Sequence, residues 1–183
     1  HEWTAIDGKT LRGTTRAQDK QGQRTLLAVT QRTRTIVAQK PLPSKKSAEV
    51  TQTQILLRES GLKKKNVTLD ALHLNPCTTQ QIDQAGGHYI IQAKGNQSIL
   101  QRQLQQVEAT QTPIDTYTTV DNGHGRLEVR RGRCFDVSDL KYAKRWSNSG
   151  FATLIVIERK TTRKQKTTQE TSFYLSNQKI PEA

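Results

Sequence analysis

The chain has 183 residues, with 29 Lys or Arg against 16 Asp or Glu, and a formal net charge of +13. Leu, Ile, Val and Phe make up about 21% of it, just above the roughly 20% below which a highly charged chain is expected to stay disordered, so a core is affordable but thin. No apolar run approaches the ~18 residues of a membrane span, and two cysteines without a C-x-x-C pair exclude a disulfide scaffold or a cysteine-rich zinc module.

The length suits one domain, or one domain with an insertion. The chain contains no Met and opens on His1-Glu2-Trp3, so we read it as a piece of a longer frame.

Residues 3–7 predict a short strand ending on Asp7, with a turn at Gly8-Lys9. Residues 24–31 and 33–40 are β-branched runs that suit paired strands, although their connection lacks the Asn-Gly of a tight hairpin. Pro41-Leu42-Pro43-Ser44 ends them. Ser47 is an N-cap candidate for a helix with Glu49 in its first turn, an apolar stripe of Val50, Leu56 and Leu57, and Gly61 at its close. Asn66-Val67-Thr68-Leu69-Asp70 is a further strand that ends on an acid. A helix over about 78–85 stops at Gly86-Gly87. His88 to Ala93 reads as a strand buried on both faces. Ser98 caps a helix carrying Leu100, Leu104 and Val107. After Pro113 the pattern turns to β, near 116–121, 126–136, 151–159 and 171–176. This order predicts an α/β fold, a mixed sheet flanked by helices, with a core over 1–112 and a β-rich extension of the same domain over 113–183.

A sequence pI near 10.0 points to a polyanionic partner, most often nucleic acid. A merely solvated surface is the competing reading. The cations are clustered, at Lys45-Lys46, Lys63-Lys64-Lys65, Arg130-Arg131-Gly132-Arg133, Arg159-Lys160 and Arg163-Lys164-Gln165-Lys166. Aromatics are only 5%, too few for a platform that stacks single strands, so contacts to a duplex backbone fit better.

Asp7 and Asp70 each follow an apolar strand segment. Magnesium takes hard oxygen ligands and often only one or two protein carboxylates, with water and phosphate completing its shell. Acids on neighbouring strands are one way to hold that geometry for phosphoryl transfer. Taken singly, Asp7 reads rather as a turn former before Gly8 and Asp70 as a helix or loop cap; the pair, in a polycationic chain, shifts the reading towards a metal site.

The neighbours of these acids carry a resemblance. Ala5-Ile6-Asp7-Gly8-Lys9-Thr10-Leu11-Arg12-Gly13 resembles the opening signature of the H-repeat-associated insertion-sequence transposases, a DDE-type family. The likeness continues through Lys46-Ser47-Ala48-Glu49-Val50, Thr68-Leu69-Asp70-Ala71-Leu72-His73, Gly86-Gly87-His88-Tyr89 and Ala93-Lys94-Gly95-Asn96-Gln97. It returns at Gly123 to Arg130 and at Phe173-Tyr174-Leu175-Ser176, in order along almost the whole chain.

The resemblance implies a ribonuclease H-like core, with Asp7 on the first strand and Asp70 on the fourth as ligands of Mg2+ or Mn2+. It also implies cutting and joining of double-stranded transposon-end DNA, a homodimer in the DNA complex, and a bacterial cytoplasmic, nucleoid-associated setting. Family chains carry the third acid on a helix beyond the Tyr174-Leu175-Ser176 strand. The chain stops at Ala183 short of that helix, so the encoded piece is expected to cut poorly by itself. Glu128 is the one well-placed substitute, but its β pattern between Arg126 and Arg130 favours an ion-paired strand residue.

DNA-contact candidates are Lys9, Arg12, Lys94, Arg126, Arg130, Arg131 and Arg133. His73 is a further polar residue beside Asp70, and His124 and Cys134 lack the partners of a zinc site. Two other readings stay open: a double-stranded DNA-binding remnant that does not cut, and another ribonuclease H-like nuclease using Glu128.

Overall fold

The first strand, β1 (Trp3–Thr10), runs three residues past the expected stop at Asp7. Its antiparallel neighbour β2 (Arg24–Thr30) pairs with it from Thr4–Thr30 to Thr10–Arg24, so backbone hydrogen bonding continues through Gly8 and Lys9, where a turn was expected. The chain is described here by a computed structural model, which covers residues 2–11, 22–43, 48–123, 125–164 and 166–180. Arg12, Lys45, Lys46, Ser47 and His124 lie outside the described residues.

Two units follow one another along the chain, His1–Ile91 and Gln92–Ala183. In the first, β3 (Ile36–Leu42), β2, β1, β4 (Asn66–Leu69) and β5 (His88–Ala93), whose last two residues belong to the second unit, lie in that order in a mixed sheet. The first three strands are antiparallel, and β4 and β5 run parallel to β1. β3 keeps Pro41 inside the strand, opposite Thr25, where a stop was expected. Only β2 pairs with β3 in this unit, and an edge strand tolerates the missing N–H.

Helix α1 (Ala48–Glu59) buries Glu49, Thr53, Leu56 and Leu57. That spacing is one helical face, and it corrects the expected stripe: Val50 is only half-buried and Glu49 takes the inward place. Helix α2 (Pro76–Asp83) starts two residues earlier than expected. The side chain of Asn75 accepts from Thr78 N, and Pro76 occupies the first turn, where its missing N–H costs nothing. Gln54 of α1 donates to Asn75 Oδ1 and Thr78 Oγ1, tying the two helices together. β5 alternates, with Tyr89, Ile91 and Ala93 buried, so it is buried on one face rather than both.

The second unit holds α3 (Ser98–Thr110), whose Leu100, Leu104 and Val107 are buried as the pattern predicts, although Ser98 is its first residue and not its cap. An antiparallel meander follows: β6 (Asp115–Gly123), β7 (Arg126–Asp136), β8 (Thr153–Arg163) and β9 (Lys166–Ser176). Phe135, Leu154, Val156, Phe173 and Leu175 form the packed end of this sheet. Trp146 and Tyr142 lie against Phe151 at ring-centroid separations of 5.4 and 5.1 Å. The other end of the meander is different. β6 is exposed along nearly its whole length, β8 beyond Glu158 exposes Arg159, Lys160 and Arg163 and half-buries Thr161 and Thr162, and β9 is exposed before Ser172.

Candidate active site

β1 and β4 are parallel neighbours, with Trp3 opposite Asn66, Thr4 opposite Val67 and Ala5 opposite Thr68. Carried two residues further, this register sets Asp7 level with Asp70. Period-2 alternation buries Thr4, Ile6, Val67 and Leu69 on one face, which leaves both acids on the solvent side. Asp70, expected as the last residue of its strand, is instead the residue after β4, where it caps the turn that follows. Asp7 is mid-strand, because β2 extends β1 beyond the point where β4 stops.

Asp7 Oδ2 lies 2.5 Å from Lys9 Nζ, with both side chains more than half exposed. The hydrogen bond to Asp7, and then its charge, raises the Lys9 ammonium above its ordinary pKa. Asp70 Oδ1 accepts from Leu72 N at 3.0 Å, which caps the 3-10 turn Ala71–His73 and aims the carboxylate. His73 ends that turn, buried, with Nε2 3.7 Å from Asp70 Oδ1. Burial pushes its imidazole below the ordinary value, while the charges of Asp70, Glu49 and Asp7 pull the other way.

Glu49 is the residue that sequence reasoning missed. It accepts a 2.6 Å ion pair from Arg24 Nη2 and is largely buried. Its carboxylate lies against Gly8: a Cβ built there would stand 2.6 Å from Glu49 Oε1. The signal was present, since Glu49, Thr53, Leu56 and Leu57 are a better helical face than Val50 with the same leucines. A charged side chain simply does not announce burial. Carboxylates from β1, from the first turn of α1 and from the end of β4 therefore share the surroundings of His73.

As donors, Asp7 and Asp70 suit a hard cation that keeps part of its shell as water or phosphate oxygen. His73 Nδ1 adds a buried polar atom beside them that no described group hydrogen-bonds. Among the described residues no three His, Cys, Asp or Glu side chains are arranged to hold a metal ion, so the site is an acid pair and not a closed cage.

Glu128 lies in the second unit, on β7. It is 2% exposed, 3.6 Å from Arg126 Nε and in an ion pair with Arg130 Nη2. The four arginines of this strand divide between its two faces. Strand alternation places Arg126 and Arg130 on one face and Arg131 and Arg133 on the other. Arg133 is further drawn to α3, where its Nη2 lies 2.6 Å from Glu108 Oε1. Lys94, directly after β5, is exposed.

Comparison with known proteins follows the same lines. Residues 1–181 match the family described as "Transposase DDE domain". The chain is 33% identical, over 84% of its length, to "Uncharacterized protein in dhlA 3'region" of Xanthobacter autotrophicus, of which it spans 52%. It is 29% identical, over 74% of its length, to "H repeat-associated putative transposase YhhI" of Escherichia coli K12, of which it spans 37%. The chain thus spans about half or less of these relatives. With the family match running from the first strand through the last, the chain belongs to the DDE transposases.

Proposed function

We propose that the chain is a DDE transposase catalytic core, its first unit ribonuclease H-like, that acts on transposon-end duplex DNA by metal-dependent phosphoryl transfer. The observation that carries this reading is the β1–β4 register, whose last pair, Ala5 opposite Thr68, stands two residues before each of the exposed acids Asp7 and Asp70. The strand order β3-β2-β1-β4-β5 supports it, since Asp7 then lies on one inner strand of that sheet and Asp70 directly follows another.

In this reading Asp7 and Asp70 would hold Mg2+ or Mn2+. The ion, when bound, activates a water or hydroxyl and stabilises the leaving oxygen of an in-line displacement. Leu72 N keeps Asp70 in place. Lys9 neutralises Asp7 in the free protein and turns to the DNA phosphate when Asp7 takes its ligand. The excess of cations attracts the duplex, and the protein would work in the bacterial cytoplasm, as a homodimer on its DNA.

A second reading is duplex binding without cutting. It is favoured by the acid pair standing without a third carboxylate in a metal-holding group among the described residues, while Glu128 is engaged by two arginines. The test is strand cleavage of labelled duplexes carrying the element's terminal repeats, in Mn2+, by the wild type, Asp7→Asn and Glu128→Gln. Cleavage lost in Asp7→Asn and kept in Glu128→Gln supports the first reading. Cleavage lost in Glu128→Gln makes Glu128 the third acid. Tight binding with no cleavage by the wild type establishes the second.

A further inference from the structure

The far ends of β7, β8 and β9 carry a row of like charges. Arg126 stands opposite Arg163, and Arg163 opposite Lys166, so three cations lie side by side across three strands. On β6 the same row holds Gly123, not an acid. Directly opposed like charges repel at about 5 Å, and this arrangement is destabilising within the protein itself.

The rows behind it look different. In the next, Glu128 stands beside Thr161 and Thr168, and in the one after, Arg130 and Arg159 stand beside Glu170. There the acids are matched: Glu128 pairs with Arg126 and Arg130, and Arg159 Nη2 lies 2.6 Å from Glu170 Oε2. Charge compensation on this face thus reaches Arg126 through Glu128, while among the described residues no ion pair reaches Arg163 or Lys166.

The turn beyond adds a fourth cation at a conformational cost. Arg163 and Lys166 close the β8–β9 hairpin with two residues between them, and Lys164 takes φ 53°. Such turns favour Asn or Gly at positive φ. The neighbouring β6–β7 turn follows that rule with Gly125 at φ 67°. At Lys164 the sequence keeps a charge where the backbone prefers none.

We propose that Arg126, Arg163 and Lys166, with Lys164 in the turn, form a clamp on the phosphate backbone of duplex DNA. Two inter-strand steps of about 4.8 Å make the row about 10 Å wide, comparable with the roughly 12 Å major groove that phosphates border. Binding would relieve the repulsion within the row. The proposal rests on the DNA-acting reading above and adds where the duplex is held.

Fluorescence anisotropy of a labelled random-sequence duplex, titrated across salt concentrations, tests it. The Arg163→Ala/Lys166→Ala variant should bind several-fold more weakly, with the salt slope reduced by about 0.9 for each phosphate no longer neutralised. Lys160→Ala removes one charge from the opposite face of the same strand and should leave affinity and slope near wild type. Lys164→Gly should weaken DNA binding without lowering the thermal midpoint, an outcome that a purely structural role does not give. Arg163→Lys should restore most of the binding that Arg163→Ala removes. Equal reductions in Lys160→Ala and the double variant, or no reduction in the double variant, overturn the clamp while leaving a DNA-binding protein. No duplex binding by the wild type overturns both the clamp and the reading beneath it.

Discussion

The last β1–β4 pair, Ala5 opposite Thr68, stands two residues before Asp7 within β1 and two residues before Asp70 just beyond β4. In the reading proposed above, a divalent cation shared by these two exposed carboxylates offsets the repulsion between them. Asp7→Asn and Asp70→Asn should therefore each abolish Mn2+ binding measured by calorimetry, with an unchanged circular dichroism spectrum. Lys9→Ala should tighten Mn2+ binding modestly, because the ammonium that competes for Asp7 Oδ2 is gone. Retention of Mn2+ affinity in both Asn variants would remove the acid pair from the metal site.

Glu49 ties β1, β2 and α1 together through Gly8 and Arg24. Arg24→Ala leaves a largely buried carboxylate without its partner and should cost about 2–3 kcal/mol in urea unfolding. Gly8→Ala places a methyl group 2.6 Å from Glu49 Oε1. The carboxylate is the end of a flexible side chain, but its ion pair restrains it, so the cost should be about 1–3 kcal/mol. Combining Gly8→Ala with Glu49→Gln, which loosens the hold of Arg24, should recover part of the stability that Gly8→Ala removes.

The arginines of β7 should separate by face. Arg133→Ala breaks the ion pair with Glu108 of α3 and should lower the thermal midpoint, with a small effect on DNA affinity. Arg126→Ala removes one member of the clamp and one partner of Glu128, so DNA binding and stability should both fall. Parallel melting curves and salt titrations separate the two outcomes.

The two thiols should react at different rates. Cys77 is exposed, whereas Cys134 is half-buried on β7. Burial, with a smaller contribution from the Asp115 charge, raises the Cys134 thiol above its ordinary pKa. The thiolate is the reactive form, so a disulfide reagent at neutral pH should label one cysteine quickly and the second slowly. The slow phase should accelerate as pH rises beyond the usual thiol range. The sign for stability follows: a raised folded pKa contributes stability below the unfolded thiol value, and that stability is lost as pH rises through the folded one. Replacing Cys134 by Ala should remove both the slow phase and this alkaline loss.

Local pattern carried much of this protein. Hydrophobic alternation marked the strands, Leu100, Leu104 and Val107 marked α3, and Asp7 and Asp70 stood out as acids following apolar strand residues. These signals are periodic within a few residues, so the amino-acid order alone contains them. Three features were decided only by tertiary pairing. Asp7 is mid-strand because β2, remote in sequence, offers hydrogen-bond partners beyond it. Glu49 is buried because Arg24 and Gly8 converge on it, and no local rule turns a carboxylate inward. Arg126 and Arg163 are neighbours because the β7–β8 register brings them together across 37 positions of sequence. The run Arg130-Arg131-Gly132-Arg133 reads as one cluster, yet a strand's two-residue period sends its charges to opposite faces, and only folding brings distant cations onto the same one.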